Sequence, residues 1–277
     1  MTREIIVERK KAIIWKGWKF KGHEGDDMFG LFDVKFIERT PLTHNVDHYK
    51  FSYNNLDEAP KTIPIMSRVL LSTPEGQKRF FTPIFNEDEG YIHLAIKNYG
   101  RTVSGELAQL EPGAEGIMIS KPTQHIKHEV PLKTFKLVYL IGAGVGIAPL
   151  LGYMTSCLKE VDSQTKIKLI YANHSEKDIV LKQELDELKK KYSDRLEIVH
   201  VLKTQVDESE EKITKYVGFR LNKEILSKEM KGAGDDDVKV FVCGPQPFVT
   251  MVSGYAWWYG GALRYLKFKR SQVLIFY

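Results

Sequence analysis

The second half of the sequence alternates apolar runs with segments of helical periodicity. The apolar runs are KLVYLI, IKLIYA, LEIVHVL and VKVFVCG, and between them lie PLLGYMTSCLKEV, LKQELDELKKKY and NKEILSKEM. A strand that helices cover on both faces is apolar along its whole length. Such strands in alternation with helices are typical of a parallel sheet built from βαβ units. This pattern predicts an α/β domain over residues 132–277.

Residues 31–131 follow another pattern, with short β-like runs between turn residues. These runs are DVKFIERTPLT, HYKFSY, RVLLSTP, YIHLAIKNY and GAEGIMISKP. Several short strands at such spacing predict a barrel or a sandwich. Residues 1–30 are basic and aromatic and end in HEGDDMFG, which we interpret as a linker or turn.

Composition excludes several functional classes. The 277 residues carry 41 Lys and Arg against 36 Asp and Glu, a formal net charge of +5. This excess is too small to indicate nucleic-acid binding, but it suits an acidic protein partner or a phosphate-bearing ligand. The two cysteines, Cys157 and Cys243, exclude a disulfide framework and are too few to ligate an iron–sulfur cluster. The simplest interpretation is a reducing compartment.

The stretch from Leu137 to Leu158 is uncharged and long enough to span a bilayer. It contains several glycines and Pro149, however, and it ends in the polar run YMTSC. We therefore expect a buried strand, a glycine turn and a helix, with no transmembrane segment. The charged start MTREIIVERKK lacks the apolar stretch of a signal peptide, which favours a cytoplasmic location.

A glycine turn lies between the first apolar run of the α/β domain and the helix that follows it. Gly142, Gly144 and Gly146 precede Pro149 in KLVYLIGAGVGIAPLL. Without Cβ atoms the backbone can approach a pyrophosphate, and the following helix offers free N–H groups to it. The spacing departs from G-x-G-x-x-G, so a tight connection that binds nothing remains an alternative.

Two further segments carry candidate site residues. VKVFVCGPQPF places Cys243 at the carboxyl end of a strand, where nucleotides bind, although a lone cysteine is often just a small buried side chain. KRFFTPIF offers Arg79 to a phosphate, Phe81 to a planar ring and Thr82 to a ring nitrogen. An ordinary strand with a surface arginine is the alternative.

Together these motifs resemble the cytochrome b5 reductase family of the ferredoxin reductase superfamily, over roughly residues 32–277. RFFTP is similar to the flavin motif R-x-Y-[ST]-P, GVGIAP to the nucleotide motif G-T-G-x-x-P, and CGPQPF to the C-G-P segment beside the nicotinamide. YANHSEKDIVLKQELDEL resembles the stretch after the second α/β strand. IKNYGRTVSGELAQLEPG and REIIVERKKAIIWKGW resemble the branch that fuses a cytochrome b5 domain, a CS domain and a reductase.

The resemblance implies a β + α/β fold. An antiparallel β-barrel flavin domain is expected at residues 31–131 and a Rossmann-like parallel-sheet NAD(P)-binding domain at residues 132–277. Residues 1–30 are then interpreted as a CS-domain remnant and linker. The chain would accordingly be the C-terminal portion of such a fusion or a shortened form of it.

The resemblance also implies roles for individual residues. On the flavin side these are Arg79 at the FAD pyrophosphate, Phe81, Thr82 and Pro83 at the flavin, Lys97 and Tyr99 beside it, and Thr102, Val103 and Ser104 at the phosphates. On the nucleotide side these are Gly144, Val145, Gly146 and Pro149 at the NAD(P) pyrophosphate, and Cys243, Gly244, Pro245 and Phe248 at the nicotinamide. Thr82, Lys97 and Cys243 would lie closest to the chemistry.

Three departures from the family pattern limit this interpretation. Phe81 replaces the usual tyrosine, Val145 replaces the usual threonine, and PIMSRVLL lacks the usual G-Q-[HY]. An interaction module that has lost FAD is therefore an alternative. Lys203 follows the third strand where NADH-preferring relatives carry an aspartate, and a cation there would attract the 2′-phosphate of NADPH. A lysine that points to solvent would look the same.

The implied reaction is hydride transfer from NAD(P)H to FAD, after which single electrons pass to a haem protein such as cytochrome b5. The resemblance to the fusion branch implies that this cytochrome b5 domain lies on the same polypeptide in a longer form. A reductase for an iron–sulfur partner is a further alternative. No nucleic-acid partner is expected, and the location would be cytoplasmic, in association with the endoplasmic reticulum surface. Tyr277 either stacks on the flavin or merely ends the last strand.

Overall fold

The structure is a computed structural model that describes residues 30–55, 59–61, 63–84, 88–124, 135–204, 216–255 and 260–276. Within these ranges the chain forms two sheets, an antiparallel one over residues 31–124 and a parallel one over residues 137–276. The expected fold class is confirmed. The expected boundary at residue 131 and the segment before Gly30 lie outside the described residues, so the domain limits stay predictions.

The antiparallel sheet closes into a barrel. Its strands are β1 Leu31–Pro41, β2 Val46–Tyr53, β3 Ser67–Ser72, β4 Lys78–Phe81, β5 Tyr91–Lys97, β6 Ile117–Ser120 and β7 Thr123–Gln124. Their order is β4-β3-β6-β1-β2-β5, with β7 paired to β3. A bridge between Pro83 and Leu94 connects the two ends of this order. Closure leaves few unpaired strand edges.

Alternating aromatic residues fill the barrel. Phe36, Tyr49 and Phe51 are almost completely buried, and their rings pack 5.4–6.2 Å apart. The helix α1, Thr102–Leu107, adds Val103 and Leu107 to the same core. From Tyr49 to Tyr53, β2 alternates buried with half-buried residues, as a strand with one face in the core requires.

The parallel sheet is covered by helices, as the apolar runs predict. Its strands are β8 Leu137–Ala143, β9 Lys166–Asn173, β10 Leu196–Leu202, β11 Tyr216–Val217, β12 Val238–Cys243 and β13 Val273–Phe276. Its helices are α2 Ile147–Lys159, α3 Lys182–Lys191, α4 Lys223–Glu229, α5 Gln246–Ser253 and α6 Ala262–Tyr265. The strand order is β11-β10-β9-β8-β12-β13. The chain therefore changes direction across the sheet between β10 and β12, and the carboxyl ends of β8 and β12 lie side by side.

The barrel packs against the sheet through a shared core. Val46, Met66, Ile84 and Ala95 of the barrel join the cluster that contains the buried residues of α2. The uncharged stretch 137–158 forms β8, a glycine turn and most of α2, as expected. Among the described residues no helix has both the length and the apolar character needed to cross a membrane.

Candidate active site at the junction of barrel and sheet

The site lies where the strand order of the parallel sheet reverses. Cys243, the last residue of β12, is paired with Gly142 near the end of β8. A crevice opens beyond the carboxyl ends of strands at such a reversal, and α/β proteins bind ligands there. The barrel covers this crevice from one side, so the site has one wall from each half of the molecule.

The glycine turn is packed backbone to backbone against the end of β12. Residues Gly144–Gly146 form one turn of 3-10 helix before α2. A Cβ atom on Gly146 would lie 2.5 Å from the carbonyl oxygen of Cys243. Gly144 has a φ of +53°, and its carbonyl accepts a hydrogen bond from the Tyr171 hydroxyl at 2.8 Å. Residue 146 must therefore be glycine because a side chain would collide with the Cys243 backbone. Residue 144 favours glycine because its φ is positive.

A first cavity, here called the junction cleft, has a volume of about 220 Å³ and is lined by both halves. It brings together most of the predicted site residues, namely Arg79, Phe81, Thr82, Lys97, Tyr99 and Ser104 of the barrel and Val145, Gly146, Pro149, Cys243, Gly244 and Pro245 of the sheet. Its described lining includes three cations and no carboxylate. Such a cleft is suited to a ligand with negative charge.

A second cavity, here called the dinucleotide pocket, has a volume of about 480 Å³ along the carboxyl edge of the sheet. The predicted residues Gly144, Lys203 and Phe248 line it. Lys97, Val145 and Pro245 line both cavities, so the two are adjacent.

Three predicted residues lie outside both cavities. Pro83 is buried and forms the bridge that closes the barrel. Val103 is buried in the barrel core. Thr102 is exposed, has a φ of +55° and donates its hydroxyl hydrogen to the carbonyl of Arg101 at 2.6 Å. The cofactor contacts predicted for these three residues stay predictions. The predicted stacking of Tyr277 on the flavin concerns a residue outside the described ranges.

The thiol of Cys243 is a neutral packing group. Burial raises its pKa to about 12, although a hydrogen bond with the backbone of Gly244 opposes this shift. A thiol with such a pKa stays protonated near neutral pH and is a poor nucleophile. Cys243 can therefore shape the cleft, but it cannot serve there as a base.

Sequence reasoning missed the contribution of the β1–β2 turn. Asn45 lines the dinucleotide pocket, and His44 places Nε2 3.7 Å from a carboxylate oxygen of Asp178 in the parallel-sheet half. Asp178 also accepts hydrogen bonds from the backbone and the hydroxyl of Ser175. Sequence reasoning also missed Phe219 and Arg220, which line the pocket near Lys203. No local motif marks these residues, since the fold brings them together from distant segments.

Comparison with known proteins agrees with this geometry. The family profile described as "Oxidoreductase NAD-binding domain" matches residues 140–254. Among solved structures, the CS-b5R domains of human Ncb5or have a TM-score of 0.72 at 24% identity, covering 94% of this chain and 76% of that one. The cytochrome b5 reductase domain of Ulva prolifera nitrate reductase has a TM-score of 0.72 at 22% identity, covering 89% and 97%. These likenesses show the fold.

Curated relatives are similar over most of their length. NADH-cytochrome b5 reductase 2-B of Vanderwaltozyma polyspora is 32% identical, over 92% of this chain and 85% of the relative. NADH-cytochrome b5 reductase 2 of Debaryomyces hansenii is 34% identical, over 80% and 73%. The resemblance expected from the motifs is confirmed, and the chain belongs to the NADH-cytochrome b5 reductase family.

Proposed function

We propose that this protein transfers a hydride from NADH to FAD and passes the electrons singly to a haem protein such as cytochrome b5. Membership of the family establishes the class of enzyme, an NADH-dependent flavin reductase. The adjacency of the two cavities carries the proposal for this chain. Because Lys97, Val145 and Pro245 line both, rings bound in the two cavities can meet.

The residues of the junction cleft fit FAD. Its pyrophosphate is anionic, and the described lining offers Arg79 and Lys97 with no carboxylate to oppose them. Phe81 and Tyr99 offer flat apolar faces, and Thr82 offers a hydroxyl to the ring edge. We assign Arg79 to the pyrophosphate, Phe81 and Thr82 to the ring, and Tyr99 with Ser104 to the remainder of the cofactor.

The dinucleotide pocket fits NADH. Gly144 and Val145, in the turn at the head of α2, are half-buried and line this pocket. Cys243 lines the adjacent junction cleft, two residues before Pro245, which lines both cavities. Bound FAD supplies the hydride acceptor, so the protein needs to supply only orientation, electrostatics and exclusion of water. We assign no acid–base role to Cys243, because its thiol stays protonated. Lys97 lies between the cavities and balances negative charge there.

The departures Phe81 and Val145 do not favour a protein that has lost FAD. Both side chains line the junction cleft rather than filling it, and the cleft remains open. Phenylalanine keeps the flat face of a tyrosine and loses only its hydroxyl.

The test is spectroscopic. Purified protein is reconstituted with FAD, and NADH is added without oxygen. We expect flavin absorbance that bleaches with NADH, followed by reduction of added cytochrome b5. A protein that shows no flavin absorbance once unbound FAD has been removed would contradict the proposal.

The choice between NADH and NADPH, the acceptor and the location of the protein in the cell are part of the same proposal. Lys203 and Arg220 line the dinucleotide pocket and provide two cations for a 2′-phosphate, which supports use of NADPH beside NADH. A haem protein with an acidic face suits the net charge of +5. A cytoplasmic location at the endoplasmic reticulum surface stays a prediction.

A further inference from the structure

Arg68 is a third cation in the junction cleft, besides Arg79 and Lys97. Its guanidinium carbon lies 4.3 Å from the centroid of the Phe80 ring, which holds the group by a cation–π contact. Its buried Nε atom has no hydrogen-bond partner among the described residues. A buried N–H without a partner is costly. Arg68 is therefore held in place yet keeps an unused donor.

Arg68 lies at the junction end of the barrel wall. It is two residues from Met66, which belongs to the core shared with the parallel sheet. Val69 pairs with Phe81, so Arg68 lies one residue beyond this pair, whereas Arg79 pairs with Leu71 farther along in the other direction. At about 3.3 Å per residue, the two arginines stand roughly 10 Å apart along the strands. A ligand that contacts both must present a different part to each.

The chemistry decides which part lies near Arg68. Hydride transfer requires the two reacting atoms to approach to about 3–3.5 Å, so the flavin ring must lie at the junction with the dinucleotide pocket. A hydride brings one proton and two electrons, so the ring gains one negative charge as the nicotinamide gains a positive one. The phosphates of FAD keep the same charge throughout. A cation beside the ring therefore stabilises reduced FAD more than oxidised FAD, whereas a cation beside the phosphates stabilises both forms equally.

We propose that Arg68 binds the flavin ring of FAD, and that it stabilises the reduced ring more than the oxidised ring. The inference rests on the proposed function, because FAD must occupy the junction cleft. It concerns Arg68 in the segment PIMSRVLL, which departs from the family pattern. The Phe80 contact keeps the guanidinium at the cleft wall, and the absence of a carboxylate from the described lining leaves its charge available.

The experiment compares Arg68→Gln with the wild type after reconstitution with FAD. The dissociation constant of oxidised FAD is measured by quenching of flavin fluorescence, and the reduction potential by equilibration with a reference dye. We expect the affinity for reduced FAD to fall about tenfold more than the affinity for oxidised FAD, which lowers the potential of a two-electron couple by about 30 mV. Lys35→Gln removes a charge from an exposed position of β1 and should leave the potential unchanged.

Each other outcome overturns the inference. Equal weakening of oxidised and reduced FAD would mean that Arg68 binds the phosphates, and no change in either would mean that it does not contact the cofactor. Should Arg68→Gln fail to fold, Arg68→Met keeps the contact with Phe80 without the charge and should show the same lowered potential. Failure of the wild type to take up FAD is a separate result, which would contradict the proposed function before any variant is made.

Discussion

The two walls of the junction cleft are built differently. On the barrel side the cleft is lined by Arg79, Lys97 and Tyr99. The two cations make no ion pair among the described residues, and Arg79 and Tyr99 are exposed. On the sheet side, Gly146 meets the backbone of Cys243 at a distance that leaves no room for a Cβ atom. The barrel wall thus offers charge and flat surface, whereas the sheet wall offers close backbone packing. Changes on the barrel wall should reduce binding, and changes on the sheet wall should reduce stability.

The largest expected effect is on the sheet wall. Gly146→Ala should lower the free energy of unfolding by about 3 kcal/mol, because its Cβ would lie 2.5 Å from the Cys243 carbonyl oxygen. Gly144→Ala is the matched control, since nothing lies within 4 Å of its Cβ position and only its φ of +53° opposes the change. That variant should lose about 1 kcal/mol. Urea unfolding measures both, and equal losses would contradict the steric argument.

On the barrel wall, Arg79→Gln should raise the dissociation constant of FAD about thirtyfold, the loss of a charged hydrogen bond worth about 2 kcal/mol. The free energy of unfolding of the FAD-free protein should not change, because Arg79 is exposed and has no described ion-pair partner. Fluorescence titration and urea unfolding measure the two quantities. A destabilised protein with normal FAD affinity would reverse the proposed contrast between the walls.

In the dinucleotide pocket, Lys203→Asp should lower kcat/KM for NADPH relative to NADH by about tenfold, since a carboxylate repels the 2′-phosphate and accepts a hydrogen bond from a ribose hydroxyl. Lys190→Asp changes charge equally on the exposed surface of α3 and serves as control. If both variants shift the ratio alike, the effect is one of general charge and not of this position.

The smallest effect concerns pH. The pKa of Cys243 is raised from 9.0 to about 12 by burial, so above pH 9 the unfolded chain loses this proton while the folded protein keeps it. The free energy of unfolding therefore keeps its full value below pH 9 and decreases as the pH rises, by about 1.4 kcal/mol at pH 10. Urea unfolding at pH 8 and pH 10 should show a larger drop for the wild type than for Cys243→Ala. Equal drops would mean that the thiol ionises in the folded protein.

Local patterns predicted the parts of the molecule that depend on near neighbours. The apolar runs predicted β8, β9, β10 and β12, because a strand buried on both faces must be apolar throughout. The glycine turn was predictable because a chain that turns sharply ahead of a helix uses residues without Cβ atoms. The short helices α1 and α5 were not predicted, since each is only six or eight residues long and carries little periodicity.

The sequence by itself determined that a domain of short strands precedes a parallel sheet, and that strands of this sheet end in a glycine turn and in Cys243. Only the tertiary structure decided that Pro83 closes the barrel, that His44 reaches Asp178, and that Arg68 shares a cleft with Cys243. The reason is that secondary structure follows from interactions between residues close in sequence, whereas a cleft wall is made by side chains from strands that only the packing of barrel on sheet brings together.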